Sequence, residues 1–167
     1  MQQLIIINGT PGIGKTTVAK LLFARLKNCA YLCGDAVWQI NPFEVNERTK
    51  AVVEKNIPFV LRSYLEAGYE FVILDWVMHR QEIIDRILRP LADLDFETKV
   101  FTLVADEQAA VERALARDGA ARSPEGVLER LRQSRDLDST QIDTTGHSPE
   151  AISDKIFDLL SPILPQL

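Results

Sequence analysis

The stretch from Ile5 to Thr17, IIINGTPGIGKTT, interrupts an apolar run with three glycines, a proline and a lysine. Gly9, Gly14, Lys15 and Thr16 fit the spacing G-x-x-x-x-G-K-[ST]. The stretch also lies between an apolar strand pattern, Gln3 to Asn8, and a helical pattern from Gly14 to Lys27, the context that gives this motif its meaning. Such a loop is built to wrap a phosphate. Gly9, Thr10, Pro11, Gly12, Ile13 and Gly14 form the wrap, with Lys15, Thr16 and Thr17 opening the helix. Backbone N–H groups and the positive end of the helix face the anion. Lys15 is expected to reach the β- and γ-phosphates of a nucleotide, ATP, and the Thr16 hydroxyl to ligate Mg²⁺.

Outward from the loop, apolar runs alternate with stretches of helical period, the pattern of an α/β fold in which helices cover a parallel sheet. Further strands are expected at Cys29 to Gly34, Glu70 to Asp75, Thr98 to Val104 and a short piece near Ile142. A long helical stretch from Val45 to Ala67 contains Pro58, which should kink or divide it, and Gly68 is placed to end it. Asp106 is positioned to cap one later helix, and Ser123-Pro124 and Ser148-Pro149 to open two others.

The chain has 167 residues, 46% hydrophobic and 26% charged, which suits a single domain over its whole length. A net charge of −5 argues against broad binding to a nucleic-acid backbone. No Lys or Arg precedes the first apolar run and no stretch reaches membrane-spanning length, so a cytoplasmic protein without a membrane partner is expected. Cys29 and Cys33 fall on the same face of a strand and have no partners for a zinc site, so they read as reduced, mostly buried thiols.

Three further features bear on chemistry. Asp75, at the end of FVILD, is the carboxylate that a metal beside Thr16 needs, directly or through a water. Asp35 ends the second strand, at the edge where open parallel sheets bind ligands, and is placed to take a proton from an acceptor hydroxyl; it could equally cap a helix starting at Ala36. Of twelve arginines, Arg113, Arg117, Arg122, Arg130, Arg132 and Arg135 lie between positions 113 and 135, a stretch without lysine. Guanidinium forks match a transferring phosphoryl group, and Arg117 and Arg122 flank Gly119, where a lid over residues 113–135 would turn. Arg130, Arg132 and Arg135 read instead as a solvated face beside nearby acids.

With these features in order, the chain resembles the small phosphate-loop kinases of the gluconate kinase, shikimate kinase and chloramphenicol phosphotransferase group, and bacterial proteins described as AAA-family ATPases or nucleotide kinases. The resemblance implies a five-stranded parallel sheet of order 2-3-1-4-5 with a helical lid. It also implies Asp35 as the acceptor-side acid, Arg117 and Arg122 as lid arginines, and Thr144, Thr145 and Gly146 as the loop edging the adenine. Cys33 stands where shikimate kinases carry a second acid, which argues against shikimate as the acceptor. Trp38, Phe43, Trp76 and His79 suggest a partly aromatic acceptor pocket, and Arg48 a place for an anionic group.

The reaction expected is transfer of the γ-phosphoryl group from ATP to a hydroxyl of a small molecule, by a monomer or homodimer. Two alternatives are a nucleoside, nucleotide or nucleic-acid 5′-end kinase, and a regulatory ATP-binding module with slow hydrolysis. A GTPase would need an N-K-x-D segment, which the chain lacks.

Overall fold

A computed structural model of the chain describes residues 1–118 and 123–160. Five strands, β1 (Gln2–Gly9), β2 (Cys29–Cys33), β3 (Phe71–Asp75), β4 (Phe96–Val104) and β5 (Thr140–Asp143), form one sheet of order β2-β3-β1-β4-β5. All four pairings are parallel. Successive β1 residues point to opposite faces, and both faces are buried: Ile5 and Ile7 join one apolar cluster, Leu4 and Ile6 the other. Helices α1 (Lys15–Arg25), α4 (Glu107–Asp118), α5 (Pro124–Arg135) and α6 (Pro149–Leu160) contribute to the first cluster. Helices α2 (Glu47–Glu66) and α3 (Gln81–Leu88) cover the second.

The register sets the position of the site. Ile7 pairs with Asp75, Asp75 with Cys33, Gly9 with Leu103 and Val104 with Asp143, so all five strands end along one edge. The loops that follow open on that edge. Buried Asn8 ties two of them together: its amide donates to the Met78 carbonyl and accepts from the Met78 N–H, both at 2.7 Å.

The caps behave as the sequence implies. Asp106 accepts from the Ala109 N–H at 2.7 Å, Ser123 from the Gly126 N–H at 3.0 Å, and Gly68 follows α2 with a φ of +84°. Pro58 does not divide its helix, because α2 runs unbroken through it with the ring buried. Proline there forfeits its own N–H bond and crowds the Glu54 carbonyl, and burial of Val53, Ile57, Leu61 and Leu65 in the second cluster holds the turns on either side. The cysteines are half-buried, not mostly buried, since Ala30 and Leu32 take the inward positions of β2. Burial pushes the Cys29 thiol up to about 12, and Cys33 is also raised, by burial and then by the Asp75 carboxylate.

Asn8→Ala strands a buried N–H and a buried carbonyl at Met78, and should lower stability by about 3 kcal/mol, read as a shift in the urea midpoint.

Candidate functional site

Steric constraints shape the loop after β1. A Cβ at Gly9, where φ is +144°, would lie 2.6 Å from the Leu103 carbonyl oxygen. At Gly12, φ +81°, it would lie 3.0 Å from the backbone of Arg113 and Ala114 in α4. The loop therefore threads between β4 and α4 with no room for side chains at those points. No side chain caps α1, whose N-terminal amides are left for a ligand. The Thr10 hydroxyl is buried without a hydrogen-bond partner among the described residues.

Lys15 is only 6% exposed, and its ammonium donates to the Thr10 carbonyl at 2.9 Å, inside the loop it opens. Burial lowers it to about 8, opposed by the charge of Asp75, reinforced by Arg117 and opposed again by Asp35. Three other predicted site residues thus act electrostatically on Lys15. Thr16 donates to Asp75 Oδ2 at 2.6 Å, from the first turn of α1 to the end of β3. Oxygens of this kind, a hydroxyl and a carboxylate, suit Mg²⁺, which takes its remaining ligands from phosphate and water. Pro11 and Ile13 are buried in the wrap, Gly14 (φ +103°) precedes α1, and Thr17 is exposed.

Sequence reasoning missed Tyr31. From β2 its hydroxyl donates to Asp75 Oδ1 at 2.7 Å, so both oxygens of that carboxylate are engaged. Its ring lies 5.9 Å from that of Phe23 on α1, and burial followed by the Asp75 contact holds the phenol protonated. The signal was there in Tyr31, Cys33 and Asp75 lying on one sheet face, but it needed the β2–β3 register to be read.

Asp35 lies exposed in a single turn of 3₁₀ helix, Gly34–Val37, at the end of β2. Its carbonyl accepts from the Gln39 amide at 3.0 Å. Arg117 is exposed on the last turn of α4, whereas Arg122 lies outside the described residues, as does Gly119. The two flanks of the arginine segment are docked, with Ala114, Val127 and Leu131 buried. Arg113 donates to Thr144 Oγ1 at 2.8 Å and to the Thr144 carbonyl at 3.1 Å. Arg132 pairs with Glu107 at 3.3 Å and Arg135 donates to the Ala105 carbonyl at 3.0 Å. Arg130 is half-buried and acts electrostatically on His79, unlike a solvated side chain. His79 is held down to about 4, by burial first and then by Arg130, Arg80 and Lys50.

Thr144, Thr145 and Gly146 form the turn after β5. Thr144 is buried and donates to the Val104 carbonyl at 3.0 Å, Thr145 accepts from the Asp106 N–H at 2.9 Å, and Gly146 has a φ of +70°. This turn is bound to α4 through Arg113, and α4 lies on the loop at Gly12. Arg48 and His147 are exposed.

Strand order, layers and loop together define the fold of the small P-loop kinases. A family model described as an AAA domain matches residues 4–137, and the chain belongs to that family. The chain is 37% identical over 81 residues to a Methanococcus maripaludis (strain C7) protein described as a "Putative adenylate kinase". That match covers 43% of this chain and 42% of the relative, less than half of its length. The tunicamycin resistance protein of Deinococcus radiodurans superposes with a TM-score of 0.76 at 21% identity, over 96% of both chains. A gluconokinase from Sinorhizobium meliloti 1021 superposes with a TM-score of 0.70 at 15% identity, over 96% of this chain and 93% of that one. These two likenesses are of fold. Among the described residues, no helix is long and apolar enough to cross a membrane.

Lowering Lys15 from 10.5 to about 8 means that the ligand-free protein carries a buried ammonium at a cost on the order of 3 kcal/mol at neutral pH. Below pH 8 the amine is protonated in both states and the full cost is present. Between about 8 and 10.5 the unfolded chain holds the extra proton, so the cost fades as pH rises. Lys15→Met should therefore raise the Tm of the nucleotide-free protein at pH 7, with the gap to the parent closing toward pH 10.5. Comparing the two proteins cancels the contributions of Tyr31 and Cys29, which do not act on Lys15.

Proposed function

We propose that the protein is an ATP- and Mg²⁺-dependent kinase that transfers the γ-phosphoryl group to a hydroxyl of a small molecule. The observation that carries this reading is the 2.6 Å bond between Thr16 and Asp75, beside a buried Lys15 that senses the exposed acid Asp35. In this reading Lys15 leaves the Thr10 carbonyl for the β- and γ-phosphates, and the loop amides and the N-terminus of α1 hold the remaining oxygens. Thr16 and Asp75 hold the metal, which when bound neutralises phosphate charge. Tyr31 keeps Asp75 turned toward Thr16.

The acceptor oxygen attacks the γ-phosphorus, the bond from that phosphorus to the β–γ bridging oxygen breaks, and the acceptor proton passes to Asp35. ADP leaves with the electron pair. Arg117 and Arg122, in a lid over residues 113–135, meet the charge on the equatorial oxygens. Thr144, Thr145 and Gly146 edge the base. The whole chain acts as one such domain in a monomer or homodimer, in the cytoplasm.

A nucleoside or nucleotide acceptor is the second reading, supported by the relative described as a "Putative adenylate kinase". It would draw on the exposed Arg48 for an acceptor phosphate. The two readings diverge in an ADP-release screen across sugars, sugar acids, nucleosides, nucleotides, aminoglycosides and oligonucleotide ends. Asp35→Asn should keep ATP affinity within about 2-fold and lower transfer by roughly 10²–10⁴-fold. Turnover at the parental rate would remove Asp35 as the base. ADP release that ignores every acceptor but rises with a protein partner would mark a regulatory module instead.

Tyr31→Phe keeps the ring beside Phe23 and removes the bond to Asp75. The Mg²⁺ concentration that half-saturates tight ATP binding, followed by calorimetry, should rise about 5-fold, roughly the loss of one hydrogen bond. ATP binding without the metal should not change.

A further inference from the structure

A row of three aromatic rings starts at the turn that carries Asp35. Gly34 precedes Asp35, and a Cβ there would lie 2.6 Å from Cγ of the Trp76 indole, so Trp76 packs closely against the backbone of the acid's own turn. Trp38 meets Trp76 edge-on, centroids 6.0 Å apart with the planes at 77°. Phe43 meets Trp38 in the same way at 5.3 Å and 68°. Exposure rises along the row. Trp76 is 8% exposed, Trp38 is half-buried and Phe43 is 58% exposed, with Val45 beside it at 60%.

The segment bearing Trp38 and Phe43 is pinned at both ends. Asn56 donates to the Val37 carbonyl at 3.0 Å, and Asn46 and Thr49 cap each other at the start of α2. An ordered segment that turns Ile40, Phe43 and Val45 to water gains nothing for folding from that apolar area. The Trp38 indole N–H is buried and has no hydrogen-bond acceptor among the described residues.

Resting on the kinase reading, we propose that the acceptor is an amphipathic alcohol: its hydroxyl lies at Asp35, and an aromatic or extended apolar body lies along Trp38 and Phe43. The row is then a ruler for the apolar body, and the indole N–H is a hydrogen-bond donor for a polar atom on it. A sugar acid or free sugar would leave Phe43 and Val45 in water and would be a poor acceptor.

Trp38 and Trp76 are the only tryptophans in the chain, so their emission reports occupancy of this surface. The test uses matched pairs that differ only in the apolar group: phenyl and methyl glycosides of the same sugars, and 1-phenyl-1,2-ethanediol against 1,2-propanediol. Each is titrated in the presence of ADP and Mg²⁺. The phenyl member of at least one pair should bind about 10-fold or more tightly than its methyl partner. Phe43→Ser should erase that advantage while leaving the methyl member's affinity where it was, with ADP titrated in parallel as a control on folding. Equal affinity within every pair, or no phenyl compound binding a protein that does bind ADP, overturns the proposal and leaves the kinase reading standing. Failure of the parent protein to bind ADP or ATP would overturn both. Concentration-dependent association that Phe43→Ser abolishes, with no effect on the phenyl compounds, would make the surface a contact between copies and also overturn it.

Discussion

Everything at the active edge depends on how closely β1 may approach β4. Opposite Leu103, only the missing side chain of Gly9 lets the chain leave the sheet and turn back over it. Opposite α4, only Gly12 lets it return. Between these two contacts the loop has one available path, and that path aims the start of α1 along the sheet edge. The parallel register then brings Asp75 and Asp35 to the same edge. Position there is a matter of strand length and pairing, not of any attraction between the acids and the loop.

The charges at this edge are held in readiness. Lys15 is bonded to a carbonyl of its own loop, and the cost of keeping its charge buried is met by the rest of the fold. Two hydroxyls on different elements engage the two oxygens of Asp75, which fixes the carboxylate plane before any ligand arrives. Such preorganisation moves the work of ordering from the moment of binding to the moment of folding. Asn8 acts likewise at a deeper layer, fixing the backbone after β3 to β1.

The fold was legible in the sequence because its signals are local. Apolar runs, the G-x-x-x-x-G-K-T spacing, Ser-Pro caps and Gly68 each act within a few residues. The five-stranded order followed from the likeness those motifs carry. Asp75 beside Thr16 was legible for the same reason, since both end or begin an element next to the loop. What escaped the sequence depends on pairings between distant segments. Tyr31 reaches Asp75 only through the β2–β3 register, and Asn8 reaches Met78 across 70 positions. Arg113 read as one of a row of arginines, yet its fork is spent on the turn after β5. Pro58 reads as a helix breaker in isolation, and burial of its ring in an unbroken α2 is a tertiary outcome.

That spent arginine joins two ends of one cradle. The Arg113 side chain grips Thr144, while the backbone at Arg113 and Ala114 lies against Gly12. The turn after β5 and the loop after β1 are therefore mounted on the same two residues of α4, as the jaws of a caliper are mounted on one bar. In the proposed kinase a nucleotide spanning both would be gauged at a set length, and one too short for that span would grip only one jaw.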